Sequence, residues 1–180
     1  MKNFKKVTIL RAVVLLLMCG LFMTPTTVSA AKKKTIKIKY KSKTVTIEED
    51  DNNLDVLLNK MKKAWGEPDS ITDEEDAVVY NYGKQNKSWI SITQNKTEDH
   101  NIFIQYKMND KNMVVNGVKV GMSKSKALKT LRKNLGKKYV KYDKEQKCII
   151  TSSIAGCGYQ IKKDKVVSCY SMICIVTTTE

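Results

Sequence analysis

The stretch GVKVGMSKSKALKTLRKNLG, Gly117 to Gly136, holds a tight turn, a short strand, a helix start and a glycine stop. Asn116-Gly117 lies between Met113-Val114-Val115 and Val118-Lys119-Val120. A type I′ turn needs positive φ at both central residues, which Asn and Gly tolerate, so a hairpin is predicted here. Ser123 then caps a helix. Leu128, Leu131 and Leu135 recur at i, i+3 and i+7 with Ala127 beside them, the spacing of one buried helical face. Gly136 provides the left-handed stop.

The same layout occurs seventy residues upstream, where Leu58, Met61, Trp65 and Gly66 fall in register with Leu128, Leu131, Leu135 and Gly136. Val78-Val79-Tyr80 likewise falls on Cys148-Ile149-Ile150, so a strand is expected after each helix. A repeat this long implies two half-domains and not a solenoid. The expected fold is therefore α+β: two similar units, each a helix packed on a small antiparallel sheet, preceded by an N-terminal β-hairpin and a signal peptide. The signal peptide takes residues 1–30, the hairpin with the first unit 31–112, and the second unit 113–180.

Gly121-Met122-Ser123 through Leu135-Gly136, echoed by Trp65-Gly66-Glu67-Pro68, resembles the helix entry and exit of the small outer-membrane assembly lipoproteins of the SmpA/OmlA type. It is similar also to the β-lactamase-inhibitor-protein-like domains, which carry two such units in tandem. The resemblance implies a non-enzymatic, protein-binding module without a cofactor. Lys137-Lys138 replaces the Glu67-Pro68 pair in the second unit, which is a departure from the pattern.

Residues 1–30 have a basic start (Lys2, Lys5, Lys6, Arg11), an apolar core from Ala12 to Met23, and Val28-Ser29-Ala30 before Ala31. These are the parts of a cleaved secretory signal, with cleavage expected between Ala30 and Ala31. The apolar core falls short of the about 20 residues that a spanning helix needs, so no transmembrane span is expected after cleavage. Lipidation of Cys19 is the alternative, set against by bulky Met18 before it. Export would place the protein outside the cytoplasm or on the extracellular face of a bacterial cell envelope.

Removing Lys2, Lys5, Lys6 and Arg11 lowers the net charge from +15 to +11, because residues 1–30 carry no acids. Lysines cluster from Lys32 to Lys43, and thirteen Lys or Arg lie in residues 107–147 against Asp110, Asp143 and Glu145. Such a surface bears on partners and solubility, not on fold. Lysine alternating with Ile36, Ile38 and Tyr40 reads as protection of an edge strand, or as a polyanion site.

Three further strands are predicted near 77–82, 88–94 and 101–108, with Val78, Tyr80, Tyr82, Ile90, Ile92, Ile102, Ile104 and Tyr106 facing the first helix. The same alternation puts Val79, Trp89 and Phe103 on the opposite face, which in an antiparallel sheet is normally polar. These three, with Lys137 and Lys138, are the candidate binding residues. Burial under the other repeat would also account for the apolar three.

Strands near 147–152, 157–162 and 166–176 carry Cys148, Cys157, Cys169 and Cys174, the candidate disulfide cysteines in an exported chain. A two-residue turn at Ser152-Ser153 would set Cys148 opposite Cys157. The cysteine spacings lack the close pairs of structural zinc sites, so no metal is expected. His100, the only histidine, stands in a polar loop, and no phosphate loop, dinucleotide fingerprint or GxSxG is present. No catalytic residue is assigned. Three functional readings stay open: an envelope-associated or secreted interaction module with a protein partner, a basic binder of anionic envelope polymers or nucleic acid, and a small thiol enzyme.

Overall fold

Alternating apolar residues set the strands of this chain, and β6 shows the pattern without a break, IFIQYKM being buried at every second position. The computed structural model describes residues 35–48, 51–96, 101–152 and 156–175, all within the unit Lys33–Glu180. The predicted signal peptide, with Cys19, Ala30 and Ala31, lies outside the described residues, as does His100. In chain order the elements begin with the hairpin β1 (Thr35–Tyr40) and β2 (Lys43–Glu48), helix α1 (Leu54–Trp65), and strands β3 (Ser70–Asp73), β4 (Ala77–Gly83), β5 (Trp89–Asn95) and β6 (Ile102–Met108). They continue with the hairpin β7 (Val114–Val115) and β8 (Val118–Lys119), helix α2 (Lys124–Leu135) and a 3-10 turn at Lys137–Tyr139. Strands β9 (Val140–Asp143), β10 (Cys148–Ser152), β11 (Gly156–Lys162) and β12 (Lys165–Ile175) complete the described chain.

Local chemistry accounts for the boundaries. Asn53 caps α1 by accepting from the Val56 N–H at 3.1 Å, and Ser123 accepts from the Lys126 N–H at 3.4 Å at the start of α2. Asn116 and Gly117 take φ of 50° and 84°, as the type I′ hairpin requires. The Gly121-Met122-Ser123 entry to α2 is stitched to the far end of the chain: Gly121 N–H donates to Val166 O and Val166 N–H to Met122 O, at 2.8 and 2.9 Å.

The expected pair of helix-on-sheet units is corrected by the strand pairing. The chain is mostly β, with two α-helices among the described residues, and each of its two antiparallel sheets draws on both halves. One sheet runs β2-β1-β7-β8, so the N-terminal hairpin is no preface: it pairs through Ile38 and Lys39 with Val115 and Val114. The other runs β3-β4-β5-β6-β12-β11-β10-β9, fused where Ile102–Met108 pairs with Cys169–Ile175. The physical reason is the sheet edge. A four-stranded meander standing alone exposes β6 or β12 as a long strand with unpaired N–H and C=O groups, and pairing the two satisfies both.

Both sheet orders read the same from either end in terms of equivalent elements, so the hairpin–helix–four-strand order occurs twice and the two runs meet at β6 and β12. One core results. Leu57, Met61 and Trp65 of α1, Ala127 and Leu131 of α2, Ile36, Ile38 and Val115 of the hairpins, and Ile90, Ile104, Tyr106 and Tyr159 of the large sheet belong to the same buried cluster.

Candidate functional site

The inward face of the large sheet is covered, while no other described element packs over its outward face. Val79, Thr93, Phe103 and Cys174 form one cross-strand row there, Asn81, Ser91, Gln105 and Met172 the next, and Gly83, Trp89, Lys107 and Tyr170 a third. Tyr170 and Met172 are 50% and 52% exposed, while Val79, Trp89 and Phe103 are half-buried. A depression of about 390 Å³ lies between Val79, Asn81, Trp89, Ser91 and Gln105. Val79, Trp89 and Phe103 thus share a face, with Trp89 at one end and the other two at the opposite end. Burial under the second repeat does not occur, because the strands of the two halves lie side by side.

Lys137 and Lys138 are elsewhere. They sit in the 3-10 turn leading into edge strand β9, with the Lys138 ammonium 4.8 Å from the Tyr139 ring centroid. Four strands separate β9 from β5, about 24 Å at the usual strand spacing, so these lysines form no common site with Trp89.

A second concavity, about 650 Å³, opens between the β1–β2 turn, the β4–β5 turn and the β6–β7 loop. Lysine dominates its lining: Lys39, Lys41, Lys84, Lys87, Lys111 and Lys119 against Asp69 and Asp110. Tyr40 stands among them, half-buried, its phenol pushed up by burial and then by the charges of Asp69 and Asp110. Beneath it the rings of Tyr40, Trp65 and Tyr82 meet edge-on at 5.8 and 5.6 Å. Asp110 ties the loops together, accepting from the Ser88 hydroxyl at 2.9 Å and the Asn112 N–H at 2.8 Å.

The cysteines divide by face. Cys148 pairs with Gln160 and Cys157 with Thr151, so the expected opposition of Cys148 and Cys157 is corrected; the β10–β11 loop is longer than the two-residue turn it required. Cys148, Cys169 and Cys174 are free thiols, and Cys157 is hydrogen-bonded in the core. Cys157 and Cys169 lie in the core on neighbouring strands, and Cys157 Sγ sits 2.7 Å from the Tyr106 hydroxyl. The hydrogen bond from Cys169, with those from neighbouring hydroxyls, lowers the Cys157 thiol against the opposing effect of burial, and burial raises Cys169. The more acidic thiol is sealed inside the protein, whereas Cys174 is the exposed one, on the open face.

Among the described residues, no group of three His, Cys, Asp or Glu is arranged to hold a metal. Nor is any helix there long and apolar enough to cross a membrane. Tyr170 and Met172 were open to sequence reasoning, since β12 alternates strictly from Cys169 to Ile175. The lysine cleft had no such signal, because its residues come from five separate segments. No protein-family model, curated protein or solved structure gives a significant match to this chain.

Proposed function

We propose that this is an exported, non-enzymatic interaction protein that docks a partner protein on the open face of its large sheet. The observation that carries the reading is the exposure of Tyr170 and Met172 beside Trp89 and Phe103, on a face where an antiparallel sheet normally turns polar side chains to water. Contiguous exposed apolar surface marks interaction sites, and aromatic residues and Met are enriched where interfaces form. Asn81, Ser91 and Gln105 run between the apolar rows and offer hydrogen bonds that fix orientation. The order of basic, apolar and small residues in residues 1–30 supports export, and the resemblance to tandem assembly lipoproteins and inhibitor-protein domains supports a binding role.

The test is photo-crosslinking from position 172 in cells, against the same probe at Lys129 on exposed α2. A discrete protein adduct from 172 alone is expected, persisting at high salt and lost in Tyr170→Ser. Equal labelling from both positions, or an adduct untouched by Tyr170→Ser, overturns the reading.

A further inference from the structure

We propose that the lysine-lined cleft between the two sheets binds a phosphate-bearing anion carrying two or more negative charges, at a site separate from the open sheet face. Lys39, Lys41, Lys84, Lys87, Lys111 and Lys119 line a space of about 650 Å³, within the range of about 300 to 1,000 Å³ typical of small-ligand sites. The two carboxylates in the lining are already committed. Asp69 accepts from the Gly83 N–H at 2.6 Å and faces Lys41 at 3.7 Å. Asp110 is held by Ser88 and Asn112. Among the described residues, the other five lysines make no close ion pair, although the charge of Lys87 acts on Asp110.

Lysines that line one concave surface repel one another and focus a positive potential there. Each ammonium brings three donors and no acceptor, so the ligand that suits them is an acceptor-rich anion. A single carboxylate would answer one or two of these lysines; a phosphate or polyphosphate answers several from one compact group, and lysine binds phosphate as a point charge.

The loops that carry three of the lysines are braced to one another. Lys84 and Lys87 share a turn closed by the Lys87 N–H to Lys84 O bond at 2.8 Å. That turn is braced to the β6–β7 loop, which carries Lys111, by the Asn109 side chain on Lys87 O at 3.2 Å and by the Ser88–Asp110 bonds. Tyr40 adds a ring and a hydroxyl to the wall. A positive surface that served only solubility would not need its loops cross-braced around a shared void.

Calorimetric titration of the purified protein with inorganic tripolyphosphate, at about 0.1 M salt where long-range attraction is largely screened, tests this. Saturable one-to-one binding is expected, weakened about tenfold or more in Lys84→Gln/Lys111→Gln and unchanged within about twofold in Lys129→Gln/Lys133→Gln, which removes the same charge from exposed α2. Both pairs are exposed, and matching thermal melts without ligand confirm that each variant is folded. Ligand should raise the wild-type melting temperature by mass action. Parallel titrations with orthophosphate and long-chain polyphosphate identify the source: the short ions binding one-to-one indicate a small ligand, and cleft-dependent binding of the long chain alone indicates a polymer. Absence of saturable binding to all three, or equal loss in both double variants, overturns the proposal.

Discussion

Ser88 carries more of the architecture than its size implies. It is buried, its hydroxyl donates to Asp110 and accepts from the Asn109 and Asp110 N–H groups at 3.0 and 3.1 Å, and its own N–H donates to the same carboxylate at 3.3 Å. Ser88→Ala strands those donors, and a buried group left without a partner costs about 1 to 3 kcal/mol. Chemical denaturation should show a loss in that range with an unchanged slope against denaturant. Partial burial pushes the Asp110 carboxyl up, but hydrogen bonds from Asn112 and Ser88 and the nearby Lys87 charge outweigh it and hold the group below its ordinary value. A carboxylate with a folded pKa below its unfolded one contributes stability that is full above the unfolded value and lost as pH falls through the folded value. Asp110→Asn should therefore flatten the fall in denaturation midpoint below about pH 4, with solvent screening keeping the difference small. An acid limb as steep as that of the wild type would show that the brace is not ionic. The glycine beside this brace is equally constrained: at Gly83 φ is +88°, and a Cβ there would meet Ser88 O at 2.4 Å.

At the scale of elements, both helices were legible because each combines an apolar stripe with a glycine stop. The strands with clear alternation or long apolar runs were legible too. The two outermost strands of the large sheet, β3 and β9, were not. All four residues of β3 are exposed, so Ser70-Ile71-Thr72-Asp73 has no buried side to create a period of two, and β9 is four residues long behind a 3-10 turn. Edge strands are short for a reason that also hides them, since a long regular edge invites pairing with other chains. That Val79, Trp89 and Phe103 share the face away from α1 was readable from parity; the openness of that face and the fusion of the halves were not, because parity says which face a residue takes and not which strand or layer lies next to it. The helices also differ in depth. Leu131 is fully buried, whereas Leu128, in register with buried Leu58, only flanks the core. Leu131→Ala should cost about 2 to 5 kcal/mol and Leu128→Ala clearly less, as read from denaturant midpoints. Equal losses would mean that α2 rolls to present Leu128 instead.

Over the whole molecule, the seam between β6 and β12 decides how the chain unfolds. Two independent units would melt separately, but here the seven residue pairs from Ile102–Met108 to Cys169–Ile175, the β1–β7 pairing and the shared core make each half the cover of the other's edge. Cooperative loss of the entire fold is the consequence. The chain supplies its own reporters, since its two tryptophans, Trp65 and Trp89, both precede the seam. Trp65 is almost fully buried in the common core, against the Tyr40 and Tyr82 rings. Leu131 lies beyond β6 in the second half of the chain, distant in sequence from both reporters. Leu131→Ala should nevertheless lower the tryptophan-fluorescence midpoint by the same amount as the circular-dichroism midpoint, with the two transitions superimposing in wild type and variant. A fluorescence transition that stays at its wild-type midpoint while the dichroism splits into two steps would show that the halves fold independently and that the seam is a contact between finished domains.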